Sequence, residues 1–358
     1  MDCKECETIK GHIFPETFFW IYLPTTEATA RLKKMVECLG YTGEPLDQTM
    51  CRVVVPATGV GAFLTALFGE FNGQELANTK IVTTRDDQLT PVDMGRVFQA
   101  DVFINRFQSQ WIIEALEAKR FETWFQPIFH AARPDKAFAQ EGLFRLRDAS
   151  GTIIPPAHVF DVAGKSDLLF TADLLARKCA VETAAAAGLK GKIFINFNPS
   201  SIYDPAYCLR ATAAAIESVG LKPEDIVFEL TETHEARDKA HLKGILAFYR
   251  GAGFGVALDD IGSGWSGLNM LHEMRPDYVK LDMDLVRDVH KDSFKQTIVK
   301  RLLQIASDNR IRTIAEGIEC AEEARYLTDM GADYLQGYYF AKPAPVLPAE
   351  EGPLAKAG

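Results

Sequence analysis

The strongest constraint on the fold of this chain is an alternation of short apolar runs with helical segments from about residue 122 to 345. The helical segments are rich in Ala, Leu, Glu, Lys and Arg, and they cover residues 166–189, 205–219, 235–251, 285–308 and 321–330. Several are followed by glycine, a typical helix stop. Alternation over roughly 220 residues favours a parallel α/β fold, and a (β/α)8 TIM-like barrel is the nearest match in size.

Polar residues recur where these apolar runs end. Asp259 and Asp260 close the run 254–258 and lead into a glycine-rich turn, and adjacent carboxylates repel each other unless cations neutralise them. Similar positions are held by Glu141, Asn196, Glu229, Glu232, Lys280, Asp282, Glu316 and Glu319. Because barrel enzymes place their chemistry at the carboxyl ends of the strands, we expect these side chains to meet in one pocket.

Each of these residues also has a purely structural interpretation. The aspartate pair could cap a solvated turn, and Glu229 and Glu316 could pair with Lys280 in a structural network. Asn196 and Gln336 could bond backbone groups, and Arg145 could form a surface ion pair. Taken together, however, five or six acids around one lysine would carry uncompensated charge, which burial penalises. The whole set therefore favours a functional site.

Eight short motifs follow one another between residues 125 and 338. They are Phe125-Gln126-Pro127-Ile128, Glu141-Gly142-Leu143-x-Arg145, Ile195-Asn196-x-x-Pro199, Glu229-Leu230-Thr231-Glu232, Asp259-Asp260-x-Gly262-x-Gly264, Lys280-Leu281-Asp282, Ala315-Glu316-Gly317-x-Glu319 and Leu335-Gln336-Gly337-Tyr338. On these motifs, residues 120 to 345 resemble the EAL-domain cyclic-di-GMP phosphodiesterase family. Gly142 replaces the usual alanine of the name-giving triplet, which removes no ligand, and Ile261 and Ser263 depart from the usual residues of the next loop.

The resemblance implies a (β/α)8 barrel that hydrolyses cyclic-di-GMP to linear 5′-pGpG with a water activated by two metal ions. It implies that one cation is held by Glu141, Asn196, Glu229 and Asp259, and the second by Asp259, Asp260 and Glu316. An all-oxygen set of ligands suits two divalent cations, Mg²⁺ or Mn²⁺.

The resemblance also implies roles for the other polar residues. Lys280 would hydrogen-bond the nucleophilic water, so that Lys280, Glu141 and Glu316 form the catalytic set. Substrate contacts are expected from Gln126, Arg145, Asp282 and Gln336, and bracing of loops or ligands from Glu232 and Glu319.

Functions of different classes remain compatible with these motifs. One is hydrolysis of cyclic-di-GMP, and another is a non-catalytic cyclic-di-GMP receptor or protein-docking module. A barrel phosphodiesterase with a different phosphodiester substrate is a third. Hydrolysis is favoured because non-catalytic members of the family typically lack some carboxylates or the lysine, and all are present here. The family also implies a homodimer through the barrel, contacting the loop from Asp260 to Gly267.

Composition and charge limit which partners and which cellular compartment we expect. A formal net charge of −10 argues against sequence-independent DNA binding, which requires a basic surface. No apolar run reaches about 18 residues and the opening segment is charged, so we expect a cytoplasmic protein without a membrane segment. Seven widely spread cysteines fit a reduced compartment.

The predicted domains are an α/β regulatory or sensor-like domain (1–110), a linker helix (111–120), the barrel (121–346) and a tail (347–358).

The first 110 residues contain predicted strands at 18–22, 52–55 and 80–83 and predicted helices at 26–39 and 59–71. Cys3-x-x-Cys6 could begin a zinc site with His12, Cys38 or Cys51, although half of such a site is a weak signal. Gly59-Val60-Gly61 could cradle a phosphate, but the third glycine of that motif is missing. The ligand of this domain is left open.

Overall fold

The computed structural model describes residues 9–199, 205–231, 239–262 and 267–346. The chain forms two compact units. The first combines Met1–Arg120 with Leu146–Ala172, and the second combines Phe121–Arg145 with Asp173–Gly358. The sequence did not indicate that residues 146–172 pack with the first 120. No described helix has the length and apolarity needed to span a membrane.

The first unit is built on an antiparallel sheet with strand order β2-β3-β1-β4-β5. Its strands are β1 (Glu16–Tyr22), β2 (Thr42–Pro45), β3 (Met50–Pro56), β4 (Lys80–Thr84) and β5 (Phe98–Gln99). Its first helices are α1 (Thr26–Cys38), α2 (Val60–Glu70), α3 (Gly73–Asn78), α4 (Ala100–Gln108) and α5 (Gln110–Glu117). The order β-α-β-β-α-β gives a split βαβ arrangement, and the predicted strands and helices of this unit are confirmed.

The spacing of apolar residues in β3 and α1 explains how these two elements pack into the core of the unit. In β3 the side chains of Cys51, Val53 and Val55 are buried, and they alternate with less buried ones because neighbouring strand residues face opposite sides. In α1, Ala28, Leu32 and Val36 repeat every four residues and pack into the same core.

The second unit contains a closed barrel of eight strands with surrounding helices, which confirms the predicted fold. The remaining strands in chain order are β6 (Phe121–His130), β7 (Arg133–Arg147), β8 (Ile153–Ile154), β9 (Lys192–Asn196), β10 (Ile226–Thr231), β11 (Gly255–Ile261), β12 (Tyr278–Leu281), β13 (Arg312–Ala315), β14 (Tyr334–Leu335) and β15 (Ala344–Pro345). The barrel excludes β8 and β15, which pair with β7 and β6. The remaining helices are α6 (Pro156–Lys165), α7 (Leu169–Ala186), α8 (Pro205–Ser218), α9 (Lys239–Gly251), α10 (Gly267–Met274), α11 (Met283–Val286), α12 (Ser293–Asp308) and α13 (Ala321–Asp329).

One barrel strand departs from a uniformly parallel sheet. β7 and β9 to β14 form parallel neighbours, whereas β6 runs antiparallel to β14. The reason is the connection between β6 and β7, because the two residues 131–132 leave room for a hairpin turn but not for a crossover helix.

The single helix predicted over 285–308 is wrong. The structure has the short α11 and then α12, separated by residues 287–292. Asp288 in this segment has a left-handed backbone with φ +56°. The side chain of Asp292 accepts hydrogen bonds from the N–H groups of Phe294 and Lys295, so it starts a new helix. Capping by this aspartate outweighs the continuous helical composition.

The segment 146–172 packs on the helices that precede the barrel. Ile112 of α5 belongs to one hydrophobic cluster with Ala163, Leu168 and Ala172. The Nε of Arg106 in α4 also donates a hydrogen bond of 3.0 Å to the carbonyl of Ser166. The predicted linker helix is therefore part of a packed layer within the first unit.

Candidate active site at the carboxyl ends of the barrel strands

The barrel interior is closed by an apolar floor to which each of the eight strands contributes one buried residue. The floor consists of Ile128, Ala139, Phe194, Val227, Ala257, Tyr278, Ile314 and Tyr334. Because this layer fills the barrel, the interior is a packed core and not a channel. The cavities at the two ends of the barrel are therefore separated by this layer, and the one at the carboxyl ends of the parallel strands lies on the side of Glu141 and Glu316.

A polar layer stands directly above this floor. Two residues beyond the floor on each parallel strand lie, in chain order, Glu141, Asn196, Glu229, Asp259, Lys280, Glu316 and Gln336. On the antiparallel β6 the direction reverses, and Gln126 lies two residues before Ile128. Residues two apart in a strand face the same side. The strand period therefore brings all eight predicted residues into one layer.

Lys280 lies at the centre of the polar layer and is only 1% exposed. Its Nζ lies 2.6 Å from Glu316 Oε1, 2.8 Å from Glu229 Oε1, 3.2 Å from Asp259 Oδ1 and 3.5 Å from Glu141 Oε1. Burial lowers the pKa of Lys280, but the surrounding carboxylates outweigh burial and raise it well above its usual value. Lys280 is therefore held as an ammonium ion.

One lysine does not balance the acidic groups around it. Burial is the main cause that raises the pKa values of Glu229, Asp259 and Glu316, and the attraction of Lys280 opposes it. Burial and the neighbouring Asp259 also raise the pKa of Asp260 to about 6. An excess of buried carboxylates of this kind favours a bound cation.

The donor atoms of the polar layer fit divalent metal ions. Asp259, Asp260 and Glu316 each offer a carboxylate oxygen, and these oxygens lie within 4.8 Å of one another. Within the part of the chain that the structure describes, the buried Glu229 Oε2 accepts no hydrogen bond. Asn196 is exposed and is paired in register with Glu229. Carboxylate and amide oxygens are ligands preferred by Mg²⁺ and Mn²⁺.

A cavity of about 290 Å³ opens beside the polar layer. Its lining residues are Gln126, Glu141, Asp260, Asp282, Met283, Arg287, Glu316, Gly317, Glu319, Gln336, Gly337 and Tyr338. The side chain of Gln126 donates a 3.1 Å hydrogen bond to the carbonyl of Ala341. Asp282 caps α11 by accepting a 2.8 Å hydrogen bond from the N–H of Asp284. These residues are thus anchored in the cavity wall.

Two predicted substrate contacts have internal partners. Gln336 Nε2 donates a 2.6 Å hydrogen bond to Glu141 Oε2, and both side chains line the cavity. Arg145 does not line it; its guanidinium lies 5.3 Å from the ring centroid of Trp124 and donates to the carbonyl of Phe144. Glu232 and the residues 263–266 lie outside the described residues.

The cavity includes residues that were not predicted as part of the site. Arg287 forms an ion pair with the predicted bracing residue Glu319, and it also contacts the carbonyl of Gly317. No periodic signal marks Arg287, because it lies in the break between α11 and α12 that composition did not reveal. Tyr338, by contrast, is the last residue of the Leu335-Gln336-Gly337-Tyr338 motif, which could have indicated it.

Gly337 is required by close approach of two segments. A Cβ at this position would lie 2.1 Å from the carbonyl oxygen of Ile318, so any side chain would displace the backbone. The glycine lets the segment after β14 lie against the segment after β13, and both contribute to the cavity wall.

Comparison with known proteins gives matches over the barrel. The EAL domain family matches residues 109–343. The probable cyclic di-GMP phosphodiesterase PdeG of Escherichia coli K12 is 32% identical over 227 residues, which cover 62% of this chain and 44% of PdeG. The blue light- and temperature-regulated antirepressor BluF of the same organism is 30% identical over 179 residues, covering 50% of this chain and 44% of BluF. The chain thus spans less than half the length of these two relatives.

The match to one solved structure covers a larger share of the matched protein. It is a standalone versatile EAL protein from Vibrio cholerae O395 in a c-di-GMP bound form, and it is 38% identical with a TM-score of 0.57. The match covers 63% of this chain and 92% of that chain.

Proposed function

The chain belongs to the EAL domain family, and from this premise we propose that it hydrolyses cyclic-di-GMP to linear 5′-pGpG with the help of two divalent cations. The observation that carries the proposal is the complete polar layer around Lys280 at the carboxyl ends of the barrel strands. In barrels this end is where catalytic residues collect. The names of PdeG and of the Vibrio cholerae structure support the choice of substrate.

The residues of the polar layer would divide between two cations. Glu141, Asn196, Glu229 and Asp259 would hold one, and Asp259, Asp260 and Glu316 would hold the other. Bound Mg²⁺ or Mn²⁺ would lower the pKa of a water and stabilise charge that develops on the phosphate oxygens. Glu229 Oε2, which accepts no hydrogen bond from the described residues, and the excess of carboxylates over lysine support this assignment.

The chain's own side chains would orient the reactants. Lys280 keeps its proton at Nζ and would donate a hydrogen bond to the oxygen of the attacking water. Arg145 lies four residues after Glu141 in β7, on the same strand face, and its guanidinium would bind a substrate phosphate. Gln126, Asp282 and Gln336 would contact the dinucleotide from the cavity wall.

The test is a product analysis with the purified full chain. Cyclic-di-GMP is incubated with Mg²⁺ or Mn²⁺, or with a chelator, and the products are separated by chromatography. We expect pGpG only with the metal ions. A chain that forms no product with either ion would contradict the proposal, and faster cleavage of another phosphodiester would reassign the substrate.

A second candidate is a cyclic-di-GMP receptor or protein-docking module without turnover. The similarity to BluF, which is named as an antirepressor, favours this alternative. Calorimetric binding of cyclic-di-GMP without pGpG formation would select it. The complete set of carboxylates around Lys280 favours hydrolysis instead.

Three further features belong to the proposal and extend beyond the barrel chemistry. Regulation by the first unit is supported by the compact fold of that unit. A homodimer through the barrel is taken from the family resemblance, and the 58% exposed Leu268 at the start of α10 follows directly after the loop that such a contact would involve. The net charge of −10 argues against sequence-independent DNA binding, and the seven widely spread cysteines support a reducing, cytoplasmic location.

A further inference from the structure

A second group of metal-ligating side chains lies outside the polar layer. His290, Cys320 and Glu323 each offer one ligand atom, and these three atoms lie within 4.8 Å of one another. His290 comes from the break between α11 and α12, Cys320 directly precedes α13, and Glu323 lies in its first turn. None of the three is a polar-layer residue, and none is used in the proposed hydrolysis.

The donor set differs in chemistry from that of the polar layer. It offers an imidazole nitrogen, a thiol sulfur and a carboxylate oxygen, a combination that suits Zn²⁺ and not Mg²⁺. The Nδ1 atom of His290 is buried and has no hydrogen-bond partner among the described residues. A buried ring nitrogen without a partner loses its hydration, and a metal ion would satisfy it.

Glu323 is held in place by the backbone around it. The side chain is 1% exposed; its Oε1 accepts a 2.8 Å hydrogen bond from the N–H of Asp288, and its Oε2 accepts one of 2.9 Å from the N–H of Glu319. These bonds join the segment that contains His290 to the segment that contains Cys320. Supporting hydrogen bonds that orient a ligand carboxylate are typical of metal sites.

We propose that His290, Cys320 and Glu323 form a Zn²⁺ site separate from the polar layer, with solvent as the fourth ligand. On binding, the Cys320 thiol releases its proton to solvent and the thiolate coordinates the ion. The ion would link the chain just after Arg287 to the chain just after Glu319. Because Arg287 and Glu319 form an ion pair in the cavity wall, Zn²⁺ would fix that wall.

The experiment uses Cd²⁺ as a spectroscopic substitute for Zn²⁺. It is titrated into the full chain carrying Cys3→Ser and Cys6→Ser, with excess Mg²⁺ present to occupy the carboxylates. We expect a thiolate-to-Cd²⁺ charge-transfer band that saturates at about one equivalent and is removed by Zn²⁺. Cys320→Ser should abolish the band, and His290→Ala should weaken Cd²⁺ affinity about tenfold or more.

The controls separate this site from other thiols and from the polar layer. Cys38→Ser removes an exposed cysteine and Cys179→Ser a partly buried one, and both should retain the band. Asp259→Asn should also retain it. Absence of a saturable band, or a band that persists in Cys320→Ser, would overturn the proposal.

A second measurement guards against misfolding of the variants. Serine at position 320 can still cap α13, so Cys320→Ser should melt like the parent without metal. In the parent, Zn²⁺ should protect Cys320 from alkylation, as read by mass spectrometry, and His290→Ala should remove this protection. Equal alkylation of the parent with and without Zn²⁺ would count against the site.

Discussion

In the sheet of the first unit and in the barrel of the second, side chains two residues apart in a strand face the same side, but the two arrangements place different side chains together. In β3 the period buries Cys51, Val53 and Val55 on one face of an open sheet. In the barrel it stacks a charged layer on the apolar floor. Among the described residues of the first unit no carboxylate is buried, whereas Glu141, Glu229 and Asp259 are buried in the second. Closure of a barrel makes the strand ends converge, and convergence creates the site.

The largest expected effect tests the charged layer directly. Asp259→Asn, Glu141→Ala and Glu316→Ala should each reduce cyclic-di-GMP hydrolysis by about a hundredfold or more, because loss of one ligand misplaces a two-ion site. Initial rates at saturating Mg²⁺ or Mn²⁺ provide the measurement. The matched control is Glu224→Gln, an exposed carboxylate before β10 at the other end of the strands, which should retain the parent rate. Near-parent turnover of Asp259→Asn would refute the two-ion assignment.

Exchange of the metal ion should have the next largest effect. Ca²⁺ alone should bind but support little turnover, because its bonds to oxygen are about 2.3 to 2.6 Å, against about 2.0 to 2.1 Å for Mg²⁺. The measurement is the rate after chelation and addition of one ion at a time. Cys38→Ser, which changes only a surface thiol of the first unit, should show the same ranking of ions. Full turnover in Ca²⁺ would contradict the proposed mechanism.

The two units can also be compared by the free energy of unfolding that is lost when one ion pair in each is broken. Arg177 Nη2 lies 2.9 Å from Asp173 Oδ2 in the second unit, and the two side chains are 0% and 5% exposed. Arg177→Met should cost about 3 to 5 kcal/mol of unfolding free energy, because it leaves a buried carboxylate without its cation. Lys165→Met breaks the exposed pair with Asp161 in the first unit and should cost less than about 1 kcal/mol. Urea unfolding of both variants gives the comparison.

The Arg177 pair also has a local consequence for the site. Asp173 Oδ1 accepts a 3.1 Å hydrogen bond from the N–H of Asn198, two residues after Asn196. We expect Arg177→Met to weaken metal activation of hydrolysis as well as stability, with partial rescue in Arg177→Lys. Equal stability losses for Arg177→Met and Lys165→Met would show that burial does not distinguish the two pairs.

The sequence was informative where the strand period and the family motifs agree. The barrel and the convergence of Glu141, Glu229, Asp259, Lys280 and Glu316 follow from period two combined with the parallel order. The reversal of β6 and the break at residues 287–292 were not predicted. Both depend on turns, a two-residue hairpin and an aspartate cap, which regional composition does not reveal.

Removal of residues 1–107, which hold the sheet of the first unit, should have a smaller effect on activity. A chain of residues 108–358 keeps Ile112 against Ala163, Leu168 and Ala172, but it loses the Arg106 bond to Ser166. We expect it to fold and to bind cyclic-di-GMP, with a hydrolysis rate changed severalfold because residues 1–107, which hold the sheet of the first unit, are absent. Rates, calorimetric affinities and sedimentation of both chains provide the test.

A shorter chain serves as the control for this truncation. Residues 121–358 lack α5, so the cluster around Ala163 and Leu168 loses Ile112 and that chain should aggregate more readily. If residues 108–358 match the full chain in both rate and oligomeric state, residues 1–107 of the first unit do not regulate the site. A role for it in localisation or partner binding would then be favoured.

The smallest effect is expected where this chain departs from its family. Gly142 lies in β7 beside Glu141, and a Cβ there would lie 3.2 Å from the Ala180 Cβ and 3.4 Å from Thr123 Cγ2. Gly142 does not have a positive φ, so alanine is compatible with the backbone.

Because alanine loses less conformational freedom than glycine on folding, Gly142→Ala should stabilise the barrel by less than about 1 kcal/mol after the tight contact with Ala180 is accommodated. The hydrolysis rate should stay within about twofold, since the nearest contacts of the added methyl across the fold are with Ala180, Thr123 and Phe125, which are not polar-layer residues. Gly151→Ala in the first unit is the matched control, because its φ of +87° is unfavourable for alanine and should make that variant less stable. A large loss of activity in Gly142→Ala would show that the position of Glu141 depends on the packing behind β7, and the polar layer would then be tuned by the neighbouring helix as well as by the strand period.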